Sequence, residues 1–488
     1  MAYNHGVRIL EQPTSLTAPI TGTAGLQVIL GTAPVNLASD PYNCTNIPML
    51  AYSFKEAYEA VGYSDDFENY SICESIDASF RVTNVAPIVL INVLDPTVHY
   101  TAFSNKSYVV VNGQVTMDLL GVLADSLDVV FNGSSLEKDV DYIVTFDDEG
   151  YAVITILAAL AGHSGSASIS ITVSGRRINP EAVTASDIIG GVNASTGAEK
   201  GLEVIRQIFP KLGLTPGLLV CPGWSKNPNI AAALAAKCEQ INGVFQCECV
   251  VDLDSSITGA TKYTDVRTVK EASAMISPHM DVVWPCARIG NKVYHGSAIK
   301  AAYTAYTDAE NDDVPYMSPS NIGIAISGIC LEDGTEVILD EQRAAIINSY
   351  GVSTFNNFNG WFLWGNRTAA YPSSTDPKDM WFCCRRFFSW WGNSFILTYH
   401  QRVDAPASYR LIEAIVDDEN VKGNSLVAQG RCAGASIEFV EEENPITDIL
   451  NGKIQFHQHL APFTPAEDIL NVLEFNPTML QDSLAGGE

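Results

Sequence analysis

Two incompatible hydrophobic periodicities share this chain, and one is nested inside the other. Residues 26–31 (Leu-Gln-Val-Ile-Leu-Gly) and 87–94 (Pro-Ile-Val-Leu-Ile-Asn-Val-Leu) are nearly continuous apolar runs of strand length. Between them lie two helical patterns, one from Ser53 with Phe54, Ala57, Tyr58 and Val61 on one face, the other over residues 71–82. Buried strands alternating with helices are the pattern of a parallel sheet covered by helices. From about Tyr100 to Ser174 the period drops to two. Tight-turn signals appear at Asn112-Gly113, Asn132-Gly133 and Asp148-Glu149-Gly150, and Ile169, Ile171 and Val173 alternate with hydroxyl residues. Asn-Gly tolerates the positive φ of two-residue hairpins, so this stretch predicts a small β-sandwich. Because the strand–helix pattern resumes after Ile178, the sandwich reads as an insertion.

The resumed layer predicts an amphipathic helix over 201–212, strands at 218–221, 249–253 and 281–284, and helices over 230–241, 266–274 and 297–309. The second of these helices is opened by Ser225-Lys226-Asn227-Pro228. From about Tyr371 the chain turns aromatic. A helix is predicted over 407–416 with Leu411, Ile412, Ile415 and Val416 inward, then strands at 435–440 and 453–460. The expected fold is α/β (α+β overall). Residues 25–98 plus 179–370 form a mainly parallel, helix-covered sheet domain, 99–178 the inserted sandwich and 371–462 a C-terminal α+β domain. Residues 1–24 and 463–488 are extended arms.

The two ends do not look like parts of a packed domain. Val7 and Ile9 alternate with Arg8 and Leu10 as in a short strand, followed by a Pro-rich stretch from Pro13 to Pro19. A strand with no hairpin partner nearby must pair elsewhere, in this subunit or in another. At the other end, Thr464-Pro465-x-Glu467 matches a capping-box helix start, in conflict with an extended arm.

With 488 residues, 47% of them hydrophobic, the chain holds enough apolar mass for about three packed domains. Its net charge of −28 repels phosphate backbones, and Arg385-Arg386 is too short a basic cluster to track one, so nucleic-acid binding is not expected. The N-terminal stretch lacks the basic and apolar regions of a secretory signal, and no apolar run reaches membrane-spanning length. The protein is expected to be made in the cytosol, its eleven cysteines being buried thiols.

Candidate chemistry is weak throughout. Gly190 to Gly197 lacks the lysine and hydroxyl of a phosphate loop, and Cys221-Pro222-Gly223-Trp224-Ser225 lacks the frame of a nucleophile elbow. Cys247/Cys249, Cys383/Cys384 and His457/His459 have no metal-site spacing. Asp252 and Asp254 stand at a strand's C-terminal end, where α/β proteins bind ligands. No catalytic, cofactor or metal site is expected. The competing reading is an α/β hydrolase-like or nucleotide-binding enzyme with a β-sandwich appendage.

A series of short motifs points elsewhere. In order they are His5-Gly6-Val7 with Glu11-x-Pro13, Gly31-Thr32-Ala33-Pro34, Pro222-Gly223-Trp224-Ser225, Ser318-Pro319-Ser320-Asn321, Trp364-Gly365-Asn366-Arg367-Thr368, Leu426-Val427-Ala428-Gln429-Gly430, Asn444-Pro445 and Pro465-Ala466-Glu467-Asp468-Ile469. Their order and spacing resemble the contractile tail sheath proteins of phages and phage-derived injection machines. Arg385 to Trp391 is more aromatic than that pattern. The resemblance implies a non-enzymatic subunit polymerising as stacked hexameric rings around an inner tube protein, with baseplate and terminator proteins at the ends. Such sheaths contract by near-rigid-body motion, and the particle assembles in the bacterial cytoplasm. It also implies terminal arms that donate strands to neighbours, which assigns Val7, Ile9 and Leu10 to one arm and Ile469, Val472, Leu473 and Phe475 to the other. Trp224, Trp364, Asn366 and Arg367 are the motif residues, with Arg367 expected to pin the α/β layer to the C-terminal domain. Arg410, Glu413 and Asp417 are assigned to a tube-facing helix, and the insertion is expected on the outer surface.

Overall fold

The computed structural model describes residues 20–21, 24–157 and 169–485. Val7, Ile9 and Leu10 therefore lie outside the described residues. Ile20–Thr21, inside the expected arm, pairs in parallel with Val85–Ala86 of the same chain.

The core is a large mixed sheet. Its strands are β1 (Gln27–Gly31), β2 (Met49–Ala51), β3 (Ile88–Asn92) and, after the insertion, β11 (Leu218–Val220), β12 (Glu248–Asp252), β13 (Met280–Val283), β14 (Val352–Asn357) and β15 (Trp361–Trp364). Their order is β15-β14-β13-β12-β11-β1-β3-β2. The inner six strands run parallel, and only the edges, β2 and β15, are antiparallel. Every residue of β1, β3, β11, β12 and β13 is buried, as parallel strands sandwiched by helices must be.

Helices α1 (Phe54–Val61), α2 (Ser71–Asp77), α3 (Pro228–Glu239), α4 (Val266–Ala272) and α5 (Gly296–Ala309) cover the sheet. Local chemistry starts and stops them. Ser53 caps α1 and Gly62, at φ 78°, ends it; Asn227 caps α3 with Pro228 at its first position. The predicted helix over 201–212 is different: a 3-10 segment, Gly201–Gln207, precedes a short α-helix, Ile208–Leu212. Pro210 explains this, because proline fits only the first turn of an α-helix.

The insertion contains β4 (Tyr100–Val110), β5 (Gln114–Leu120), β6 (Asp128–Phe131), β7 (Ser134–Ser135), β8 (Tyr142–Phe146), β9 (Tyr151–Ile156) and β10 (Ile169–Ile178). Two sheets, β8-β9-β5 and β4-β10-β6-β7, enclose one core that includes Met117, Val129, Tyr142, Ile154 and Ile171. Asn132-Gly133 makes the two-residue hairpin β6–β7. Asn112-Gly113 has the same positive-φ backbone, but only Val111 and Gln114 bridge across it. Beyond that bridge the strands part into different sheets, so this turn is a corner of the sandwich.

The aromatic C-terminal segment is a long helix, α6 (Phe382–Tyr399), which the sequence reading did not identify. It is bolted to the α/β layer by a polar stripe at helical spacing. Arg386 forms a two-pronged ion pair with Asp308, Ser389 Oγ donates to Glu248 Oε1 at 2.6 Å, and Asn393 exchanges two bonds with the Gln246 backbone at 2.6 and 3.0 Å. Helix α7 (Tyr409–Ala428) is twice as long as predicted. It packs on a two-stranded antiparallel sheet, β16 (Gly434–Glu438) and β17 (His457–Ala461). Residues 462–476 follow with neither helix nor ladder, then α8 (Pro477–Ala485), which Asn476 caps. No helix among the described residues is long and apolar enough to cross a membrane, and all eleven cysteines are buried free thiols.

Candidate assembly site at the root of the C-terminal arm

Three of the motifs meet in one place. A cleft of about 490 Å³ is lined by Ser318, Ser320 and Asn321, by Trp364 to Arg367, and by Pro465 to Asp468. Ser318 Oγ bonds Asn366 Oδ1, and Ser320 Oγ accepts the Gly365 N–H at 3.0 Å. Gly365 sits at φ 139°, and a Cβ there would stand 2.8 Å from Ser353 Cα, so only glycine serves. Its carbonyl takes a bond from buried Lys300, whose partner across the sheet is Asp281 at 3.2 Å.

Arg367 is the centre of the cleft. Its guanidinium lies 3.8 Å from the Trp381 ring centroid and 4.2 Å from that of Tyr371. Nη1 bonds Met380 Sδ at 3.1 Å, while Nε reaches both carboxylate oxygens of Glu467 at 3.1 Å and Nη2 closes a second prong. Planar, bidentate pairing of this kind suits arginine and not lysine. Arg367 therefore ties the arm, as well as the start of α6, to the α/β layer. The pairing also explains why the capping box at Thr464 starts no helix: Glu467, its fourth residue, is held by Arg367. Beneath the next turn, Lys270 is buried with the carbonyls of Tyr350, Ala369 and Tyr371 at 2.6 to 2.9 Å, and burial pushes its pKa down to about 8.

Beyond this root the arm is bare. Ile469, Leu470, Val472, Leu473 and Phe475 are 77–88% exposed. The nearby sheet offers one open edge. On β16, Ile437 exchanges both backbone bonds with the Asn420 side chain at 3.0 Å, and a Cβ on Gly423 would meet Ala435 O at 2.4 Å, so α7 closes that side. Antiparallel pairing then leaves the backbone groups of Gln458 and Leu460 on β17 pointing outward. No strand pairs with that edge among the described residues.

The other assigned residues are dispersed. Arg410, Glu413 and Asp417 form an exposed row on α7, opposite buried Ile415. Trp224 lies in a separate cleft of about 980 Å³ with Lys226, His295 and Glu332. Asp252 is saturated by Ser225 Oγ, the Gly223 N–H, and the N–H and Oγ of Ser297, at 2.7 to 3.2 Å, so it braces a turn. Among the described residues no group of three or more His, Cys, Asp or Glu is placed to hold a metal ion.

Sequence reasoning missed His295. Its Nδ1 lies 2.9 Å from Glu74 Oε1, and its backbone N–H donates to Oε2 at 2.7 Å. Burial opposes its charge, but Glu74, Asp252 and Glu332 outweigh burial and raise its pKa to about 9. A histidine raised above its unfolded value stabilises fully below pH ~6.5 and loses that contribution as pH climbs through the folded value. The stability difference between wild type and His295→Gln in urea titrations is therefore expected to shrink by about 3 kcal/mol between pH 6 and pH 10. A constant difference would show that folding leaves the His295 pKa at its unfolded value.

No protein-family model matches the chain. It is 23% identical, over 99% of its length and 99% of the relative's, to the tail sheath protein of Burkholderia phage BcepMu. Over 59% of its length it is 24% identical to the tail sheath protein of Escherichia phage P2, covering 70% of that protein. The fold is shared with the sheath of an extracellular contractile injection system (PVC) in the contracted state, at a TM-score of 0.56 and 14% identity over 99% of both chains. It is likewise shared with the contracted helical sheath of the anti-feeding prophage, at 0.55 and 16% over 96% of this chain and 98% of that one.

Proposed function

We propose that this chain is a structural, non-enzymatic subunit of a contractile tail sheath, polymerising as stacked hexameric rings around an inner tube. The end-to-end likeness to tail sheath proteins supports the class. One observation carries the mechanism: a single protomer holds an exposed apolar arm and a strand edge, unpaired among the described residues, that such an arm fits. In this reading Ile469, Val472, Leu473 and Phe475 pair with β17 of an adjacent copy. Main-chain bonds then join subunits through a flexible tether, so linkage survives a change of packing. Val7, Ile9 and Leu10 act as the second donor. The exposed row Arg410, Glu413 and Asp417 faces the inner tube protein, and ring surfaces meet baseplate and terminator proteins at the two ends. The energy of contraction comes from the difference between two inter-subunit packings, since a rigid protomer stores it nowhere else.

The enzyme reading loses its best candidates, because Ser225 and Asp252 are buried and bonded to each other. Negative-stain microscopy of the purified protein decides between the two readings. Hollow, cross-striated cylinders are the expected result; discrete small particles at high concentration would refute the sheath assignment. Deleting residues 1–12 is expected to leave a folded protein that forms no long tubes. Tubes of normal length would remove the N-terminal residues from the assembly role.

A further inference from the structure

We propose that the Arg367–Glu467 ion pair keeps the C-terminal arm from closing onto β17 of its own chain; this rests on the strand-donation reading above. β17 ends at Ala461, and only residues 462–466 separate it from Glu467. Loops of about five residues join antiparallel hairpins readily, so the arm has a short route back along the edge it is meant to fill elsewhere. That route is intramolecular and outcompetes a neighbour at low subunit concentration. The arm also carries the side chains a third strand needs, yet its apolar residues stay exposed and 462–476 form no ladder.

Three features block the return. Pro462 and Pro465 have no N–H to give to a ladder at the point where the hairpin must begin. Glu467, the first residue past the loop, is gripped on two prongs by a guanidinium that is itself fixed between Trp381 and Tyr371. The arm is thus committed to another site before its first strand residue, Ile469. Glu467 is a positioning residue: it makes β17 an acceptor for other copies and not for its own chain. A cell filling with fresh subunits gains a delay in self-quenching, because each monomer keeps both donor and acceptor available.

Hydrogen exchange read by mass spectrometry on the full-length monomer, below its assembly concentration, tests this. The outward-facing part of the peptide covering 457–461, the Gln458 and Leu460 amides that β16 leaves unbonded, is expected to exchange rapidly in wild type. In Glu467→Gln it should exchange about tenfold more slowly, and the critical concentration for tube formation should rise by about the same factor, the scale set by one well-formed ion pair. Combining Glu467→Gln with deletion of 469–488 is expected to restore rapid exchange, because no arm remains to close. Equal exchange in wild type and Glu467→Gln overturns the proposal and leaves strand donation standing. Protection of β17 with unchanged tube formation supports the closure but removes strand donation. Protection that persists without the arm also overturns the proposal.

Discussion

Replacing Arg386 with methionine is expected to destabilise the protein by about 3–5 kcal/mol, the usual cost of leaving one member of a buried ion pair alone. Arg386 is 2% exposed and Asp308 1%, and the carboxylate accepts from both terminal nitrogens of the guanidinium. Burial raises the pKa of Asp308 and Arg386 offsets that rise, so removing the arginine leaves Asp308 to take up a proton or force water into the core. The effect reaches beyond one helix turn. Arg386, Ser389 and Asn393 are the stripe that joins α6 to the sheet layer, and Asp308 closes the end of α5 where Gly25 packs against Ala305. Urea unfolding followed by tryptophan fluorescence measures the loss. The paired change Arg386→Met with Asp308→Leu should recover most of it, because a hydrophobic pair carries no desolvation cost. A loss below about 1 kcal/mol in the single variant would mean that the ion pair does not hold α6 to the sheet layer.

Deleting residues 469–488, which leaves the Arg367–Glu467 pair in place, is expected to abolish tubes while leaving the protomer folded. The five large apolar residues between Ile469 and Phe475 are exposed in the protomer, so their removal costs the fold almost nothing. In the proposed assembly the same residues are the donated strand, and losing a strand's worth of main-chain bonds and buried side chains raises the critical concentration by at least about a hundredfold, or ~3 kcal/mol. Sedimentation velocity should show monomers at concentrations where wild type pellets, with a melting temperature within about 2 °C of wild type. Normal polymers from the truncated chain would assign assembly to other surfaces. A chain that no longer folds would show that the arm packs on its own protomer.

The central sheet was legible because burial on both faces makes β1, β3, β11 and β13 almost continuously apolar, with Gln27, Asn92 and Asp281 as the polar exceptions. The insertion was legible from its change of period. What stayed hidden has a common cause: polar residues that are buried in the fold look solvated in the sequence. Arg386, Ser389 and Asn393 make α6 look like an irregular aromatic stretch until Asp308, Glu248 and Gln246 are brought to them. The second half of α7 ran unnoticed for the same reason, since Glu419 and Asn420 belong to no apolar stripe and spend their side chains on Gln458 and Ile437. At the arm root the local signal even points the wrong way. Thr464 to Glu467 favours a helix start, and only an arginine 100 positions earlier overrides it. The motif strings marked this place without saying what they did there; their convergence on one cleft is a tertiary fact.

A cryo-electron microscopy reconstruction of the assembled protein, at a resolution that traces the backbone, tests the inter-subunit strand most directly. Unbroken density is expected from Ala461 past the Arg367–Glu467 pair, with residues 469–475 laid as an added strand against Gln458 and Leu460 of an adjacent copy. Density that instead turns back onto its own β17, or leaves that edge bare in every subunit of the polymer, would contradict it.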